Sequence, residues 1–331
     1  MIYRWRFWII LLLGLCVLAA CSPSEGTLIP STPTVADAPP TPVVASDPPT
    51  PPPRSRSHLE SITVLLLGTD RRSQDGSVDN TDTLMLFHLD PNARRMVILS
   101  IPRDVYVEIP RHGEGRINTA YAQGEQDGTG GLALARETIS TTLGIPVQHA
   151  ALIDFHAFVS LIDAIGGVDV DVPYAISDPT YPDSGIHYDP FYLPGGHHHL
   201  DGATALKYAR TRATYGGDFD RAARQRQIVL AVRDRVISLD LLPVLISQSP
   251  QLWSALQSAF ETDLTLGEIV DLAVIGSRVP SDQIVTAGID QTCTRSWTTP
   301  SGAAVLLIDH QATEELITDL FTPQPAAVAS Q

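Results

Sequence analysis

At 331 residues with 44% apolar side chains, the chain has the material for a sizeable buried core, which excludes a protein disordered throughout. Its net charge of −15 excludes the broad basic surface that a nucleic-acid backbone requires of its partner. Three cysteines, at positions 16, 21 and 293, give no disulfide framework.

The amino terminus places Arg4 and Arg6 before an apolar run from Phe7 to Ala20, which ends in Leu18-Ala19-Ala20-Cys21. Such a run is shorter than the roughly 20 residues a helix needs to span a bilayer, so residues 1–20 read as a cleaved export signal; an uncleaved anchor is the alternative. The tetrad resembles the bacterial lipoprotein box, in which the cysteine is lipidated, and this makes Cys21 the expected tether to the outer side of the cell membrane. Residues 21–58 are dense in Pro, Ser and Thr and cannot bury a core, so they read as a disordered, extended linker. Cys293 is then left without an intrachain partner, as a small buried hydrophobe or a free thiol.

From Ser61 the pattern changes. Val64-Leu65-Leu66-Leu67-Gly68 is a short apolar run closed by glycine, as in a buried strand, and Thr83–Leu89, Arg95–Ile101 and Val105–Ile109 follow as further strands. Asp90-Pro91-Asn92-Ala93 forms a hairpin turn between two of them. Helical periodicity marks Leu132–Leu143 and Phe155–Ile165, with strands at Ala150–Asp154 and Val168–Val172. Residues 173–199 show no period and read as a long loop bordering a site. Helices are expected at Gly202–Arg210, Asp220–Leu239, Leu266–Ile275 and Gly302–Leu320, with a strand at Gln283–Ala287. This mixture implies an α/β layered domain. Residues 246–322 either complete that domain or form a small appended region, and 323–331 form a disordered tail.

Positive charge is unevenly placed. Of 22 basic residues, eight fall between Lys207 and Arg235. In the long helix, Arg221 and Gln225 continue the register of Ile228, Val229, Val232 and Val236, so polar groups begin a buried face. A buried guanidinium calls for matching negative charge, and its planar fork suits phosphate or carboxylate. A helix start also favours an anion, although Asp218 or Asp220 could simply cap it. Arg210 and Arg212 lie two apart, which in extended geometry directs both the same way. Asp70 follows one strand and Asp82 precedes another, so neighbouring strands would bring both carboxylates to one sheet edge. Paired carboxylates beside phosphate commonly hold Mg²⁺, whereas a single aspartate is more often a turn cap. His197-His198-His199 does not read as a zinc site, because consecutive side chains seldom converge on one ion.

The segments LLLGTDRR (65–72), NTDTLMLFHLDP (80–91), ILSIPRDVYVEIP (98–110), GRINTAY (115–121), FVSLIDAIGGVDVDVP (158–173), HLDGATALKYARTR (199–212) and GDFDRAARQRQ (217–227) together resemble the LytR-CpsA-Psr family of cell-envelope proteins over about residues 60–245. The resemblance implies a three-layer α/β/α domain around a mixed central sheet, over 59–245, with a hydrophobic pocket for a polyprenyl chain. It implies transfer of a glycopolymer from a polyprenyl-pyrophosphate carrier to peptidoglycan, through a phosphodiester link and with Mg²⁺. By position it implies Asp70 and Asp82 as metal-holding residues, Arg72, Arg103, Arg210, Arg212, Arg221 and Gln225 as catalytic residues, and Arg116, Asp218 and Arg224 in substrate binding. Asp104 and Asp218 stand as candidate bases, and the family segment that matches His197–His199 implies a polar turn before the next helix. The sequence departs from the family pattern at Asp220, where glycine is common, and at Arg226, where glutamine is common; Asp220 could pair with an arginine and weaken phosphate binding. Two other readings stay open: a hydrolase of the same lipids, and a non-catalytic lipid or wall-polymer binding protein with a regulatory role.

Overall fold

The computed structural model describes residues 60–70, 79–182, 187–248 and 260–322. The expected signal, the linker, Cys21, Arg71, Arg72 and the C-terminal tail lie outside the described residues.

Six strands form the central mixed sheet. They are β1 (Ile62–Thr69), β2 (Thr81–Asp90), β3 (Arg95–Ile101), β6 (His149–Asp154), β11 (Phe260–Thr262) and β12 (Ile284–Gly288), in the order β11-β6-β1-β2-β3-β12. β1 pairs antiparallel with β2 and parallel with β6. The β2–β3 hairpin turns through Asp90, whose Oδ1 accepts from the backbone N–H groups of Asn92 and Ala93 at 2.8 and 2.9 Å. Two strands from beyond residue 245 therefore occupy the sheet's edges, β11 beside β6 and β12 beside β3.

Period-two alternation divides the sheet into two unlike faces. On one face Leu65, Leu67, Leu84, Leu86, Val97 and Leu99 are almost wholly buried. They pack in one core with α1 (Ala120–Asp127), α2 (Gly131–Leu143) and α8 (His310–Phe321), represented there by Tyr121, Leu134, Ile139, Ile317 and Leu320. Cys293 is part of this core, as a small buried side chain. The other face presents Val64, Leu66, Gly68, Thr83, Met85 and Phe87. Over it lie α3 (Phe155–Ala164), α4 (Gly202–Arg210), α5 (Asp218–Ser238) and α7 (Leu266–Ser277). A second core, with Ile162, Val168, Val170, Tyr208 and Ile228, joins α3, α4 and α5 to the small sheets β7 (Val168–Val172) with β10 (Gly196–Leu200) and β8 (Ile176–Asp178) with β9 (Phe191–Leu193).

Local chemistry fixes the helix starts on the second face. Asp154 Oδ1 caps α3 by accepting from the N–H of Ala157, and Asp201 does the same for α4 through Thr204, each at 2.8 Å. Gly202 lets α4 approach α3: a Cβ there would meet the Val159 carbonyl oxygen at 2.4 Å, while its N–H donates to Asp163 at 2.7 Å. α5 begins at Asp218, two residues earlier than expected, and its cap is Gly217 at φ 54°, so neither aspartate is the N-cap.

Three expectations are corrected. Residues 173–199 are not an unbroken loop, because Ile176–Asp178 and Phe191–Leu193 pair with each other. His197–His199 lie on β10 rather than in a turn; His197 and His199 face Asp171 and Asp169 across the hairpin, while His198 turns to the Pro194 carbonyl. Finally, Gly302–Leu320 is not one helix. Ala304–Ile308 is β14, paired with β13 (Thr294–Thr298), and Asp309 then caps α8 by accepting from Ala312. The Val-Leu-Leu-Ile run suits a pleated, half-buried strand, and the cap restarts the chain as a helix.

Candidate active site

The site lies at the sheet end where β1 finishes and β2 begins. Gly68 pairs with Thr83 but Thr69 pairs with Thr81, so Asp82 is the extra residue of a β-bulge and leaves the regular alternation. Its carboxylate lines a polar cavity of about 520 Å³ and accepts from Arg103 Nη1. Arg103 stands just past the end of β3 and also faces Asp104, with Nε 3.6 Å from Oδ2. Asp70 follows the end of β1 and pairs with Arg210 at 3.2 Å. The adjacent strand ends thus hold both carboxylates at one end of the sheet.

Arg210 ends α4, and its guanidinium stacks 4.1 Å from the Phe155 ring centroid and donates to the Tyr181 hydroxyl at 3.2 Å. Thr211 is buried and donates to Asp178 Oδ2 at 2.6 Å, which pins an extended backbone and leaves Arg212 on the same cavity as Arg210. From α5 come Arg221, only 5% exposed, and Gln225, whose amide donates to the Ala209 carbonyl at 3.2 Å. Asp218 bridges the cluster, 2.7 Å from Arg221 and 3.3 Å from Arg212.

Arg103, Arg210, Arg212 and Arg221 line this cavity against the carboxylates of Asp82 and Asp178. The imbalance leaves a mark on Arg212. Burial and the neighbouring guanidiniums of Arg221 and Arg103 hold its pKa below the ordinary arginine value, against the opposing pull of Asp218 and Asp82. Arg103 shifts the other way: burial opposes its charge, but the hydrogen bond and charge of Asp82, with Asp104 and Asp218, outweigh it and raise the pKa. The Nε–H groups of Arg103 and Arg221 are buried without a hydrogen-bond partner among the described residues. A cavity walled by four guanidiniums, each held by a neighbouring carboxylate, is suited to a multiply charged anion that can share those donors.

The cavity continues into an apolar pocket. Thr83, Phe155, Arg210 and Gln225 line both, and the second is completed by side chains including Leu66, Met85, Phe158, Ile228 and Val229. Leu66 in turn lines a further apolar cavity of about 280 Å³ with Ile62, Val64, Phe87, Leu89, Met96 and Leu272. The open face of the sheet therefore leads away from the arginines as a nearly continuous apolar surface.

Not every expected residue joins this site. Arg224 is buried but donates to the backbone carbonyls of Tyr208 (2.9 Å) and Thr211 and to the Thr214 hydroxyl (3.2 Å), so it holds the loop after α4 instead of facing the cavity. Arg116 sits outside the cavity lining, paired to Asp104 at 3.3 Å, and is linked to Arg103 through that carboxylate. Asp220 does not block an arginine of the cavity: its Oδ2 accepts from Gly216 N–H at 2.9 Å and from the Tyr174 hydroxyl at 3.1 Å. Arg226 points away, toward Gly288 and a small cavity it shares with Asp290. Phe155, Asp178 and Tyr181 were not identified from the sequence. The Pro/Tyr/Asp-rich stretch around 181 was a signal, but nothing in the spacing distinguished those residues.

Comparison with known proteins identifies the family. The profile of the LytR_cpsA_psr family matches residues 39–322. A relative from Oceanobacillus iheyensis, polyisoprenyl-teichoic acid–peptidoglycan teichoic acid transferase TagU, is 33% identical over 214 residues, which cover 64% of this chain and 62% of the relative. TagV of Bacillus subtilis, named for the same activity, is 32% identical over 231 residues, covering 69% of this chain and 56% of its own length. The chain thus spans about three-fifths of the length of these relatives. Among solved structures, B. subtilis TagV superposes with a TM-score of 0.63 at 27% identity, covering 80% of this chain and 99% of that one. TagT bound to LI-WTA gives 0.60 at 26% identity, with 78% and 89% covered. With the family profile extending over most of the chain and the mixed sheet shared with these structures, the chain belongs to the LytR_cpsA_psr family.

Proposed function

We propose that the protein is a cell-envelope phosphotransferase that moves a glycopolymer from a polyprenyl-pyrophosphate carrier onto peptidoglycan through a phosphodiester link. The observation that carries this reading is the junction of the arginine cavity with the apolar pocket through Thr83, Phe155, Arg210 and Gln225. A pyrophosphate lipid has just such a charged head and apolar tail. The activity for which the TagU and TagV relatives are named supports the same substrate class.

In this reading the pyrophosphate lies among Arg103, Arg210, Arg212 and Arg221. A hydroxyl oxygen of the acceptor bonds to the phosphorus that carries the glycan. The bond from that phosphorus to the bridging oxygen breaks, polyprenyl phosphate departs with the electron pair, and the hydroxyl proton passes to a carboxylate. Asp104 and Asp218 are the candidates to receive it. Phosphoryl transfer needs positioned charge more than covalent help, and fixed guanidiniums supply it without reorganisation. Arg72, outside the described residues, joins the set on its sequence match alone.

Asp70 and Asp82 fit Mg²⁺ by their donor chemistry: two hard carboxylates at adjacent strand ends, beside a site for phosphate oxygens. The ion would neutralise pyrophosphate charge. The reading also includes export and a membrane tether through a lipidated Cys21, with residues 22–58 as the stalk.

The test is mass spectrometry of the purified chain incubated with a polyprenyl-pyrophosphate oligosaccharide, a soluble peptidoglycan acceptor and Mg²⁺. A glycan-phosphate adduct on the acceptor is expected, and it should vanish in Arg221→Ala. Free phosphorylated oligosaccharide without adduct would make the protein a hydrolase. Lipid bound but unchanged would leave a binding role alone.

A further inference from the structure

A second cleft of about 520 Å³ lies beside the arginine cavity, and its chemistry is different. It is lined by Trp297, Ser296 and Thr298 from β13, by Phe219 from the first turn of α5, and by Asp104 and Asp218. The last two are the partners of Arg103, Arg116, Arg212 and Arg221. The ion pairs of Arg103, Arg212 and Arg221 thus form a shared wall, with these arginines lining one cavity and the two aspartates the other.

Trp297 is 38% exposed, a large ring left open at a cleft rather than buried. It is nevertheless held in place. The Tyr106 ring meets it edge-on, with centroids 5.7 Å apart and an interplanar angle of 62°. The β13–β14 hairpin is itself fastened to the segment after Arg103, because Leu306 N–H donates to the Asp104 carbonyl at 2.9 Å and Leu306 bridges to Val105.

We propose that this cleft is the acceptor subsite, holding a pyranose ring of the peptidoglycan glycan against Trp297; this rests on the transferase reading above. An aromatic face carries partial negative charge and attracts the polarised C–H groups on one side of a sugar ring. The sugar's hydroxyls find acceptors in Asp104 and Asp218 and mixed partners in Ser296 and Thr298. Carboxylates on the wall disfavour a second phosphate and favour an uncharged ring, so charge alone sorts the two substrates: the anionic donor to the arginines, the saccharide to the aspartates. The acceptor hydroxyl is then delivered next to the residues that hold the pyrophosphate.

The test uses the full-length chain in detergent and a β-1,4-linked N-acetylglucosamine tetramer as probe, with binding read by saturation-transfer NMR. Wild type should bind the tetramer. Trp297→Ala should weaken binding by ~10-fold, while Trp297→Phe retains most of it. In the transfer assay Trp297→Ala should raise the acceptor KM and leave the KM for the lipid donor unchanged. Equal binding by wild type and Trp297→Ala, or no binding by wild type, would overturn the subsite. Transfer indifferent to Trp297→Ala would overturn it too, while leaving the transferase reading intact. Trp297-dependent binding without transfer to any acceptor would support the saccharide site and remove the transferase reading instead.

Discussion

The two faces of the central sheet are both apolar, yet they are built to opposite ends. Leu65 and Leu67 point into a core sealed by α1, α2 and α8 and have no exposed surface. Val64 and Leu66, their immediate neighbours in β1, are only partly covered and line cavities. Close packing earns stability on one side, since a filled interior gains both water exclusion and dispersion contacts. On the other side, the same kinds of side chain are left under-packed in a strip that ends at four arginines. One continuous hydrophobic run thus fills a core with alternate residues and lines cavities with the rest.

The largest expected effect comes from the charged end of the open face. Arg221→Ala should lower kcat by about 10²–10³-fold, the range for removing one preorganised donor to developing charge. Its effect on thermal stability should be small by comparison, since the apolar stripe of α5 below it is untouched. A variant that loses activity only in proportion to lost folding would erase the distinction between the faces. Arg224→Lys, three residues on, should behave otherwise. A lysine lacks the fork that serves the carbonyls of Tyr208 and Thr211, so the cost should appear as a lower melting temperature, with about 1–3 kcal/mol lost for each buried group left unpaired.

The sharpest comparison is between neighbours. Leu65→Ala should destabilise the protein by about 2–5 kcal/mol, as for a fully buried leucine whose cavity cannot collapse. Lipid affinity per folded molecule should stay unchanged. Leu66→Ala should cost less stability than that range and instead weaken binding of a polyprenyl-pyrophosphate by several-fold, because its methyl groups line the apolar pockets. Paired denaturant titration and lipid-binding isotherms separate the two, and equal stability losses would show the faces to be packed alike.

How much of this was readable in the sequence follows from what each pattern encodes. The strands β1 to β3 and helices α2 to α5 were legible because their signals are local: apolar runs, helical periodicity and the Asp90 turn. The register of Arg221 and Gln225 with Ile228 correctly placed them on the inner side of α5. Spacing could not separate Arg221 from Arg224, since both are buried and only the loop after α4 decides which meets carbonyls and which meets the cavity. Nor could it reveal the bulge at Asp82, which depends on pairing between strands. Ala304–Ile308 was misread as helix because a five-residue apolar run carries no period of its own, and its partner strand was not recognised. The alternation within Val64–Leu67 was hidden for a related reason: when both faces are apolar, nothing in the run tells the sealed side from the open one.

The smallest effect tests the sealed face by pH. His88 lies at its margin, with its ring 4.9 Å from that of Phe321 on α8 and Nδ1 2.9 Å from the Thr63 hydroxyl. Burial, assisted by Arg95 and opposed by Asp90, lowers its pKa from 6.5. A depressed folded-state pKa means that the unfolded chain takes up a proton first on acidification. The stabilising contribution is therefore complete above about pH 6.5 and is lost as pH falls through the lower folded value. Melting temperatures measured from pH 8 to pH 5 should fall less steeply in His88→Gln than in wild type, so that the gap between the two narrows toward the acid end. Parallel curves would mean that His88 is not buried as a neutral ring against α8, and the seal on that face would have to be sought elsewhere along the Ile317 and Leu320 contact.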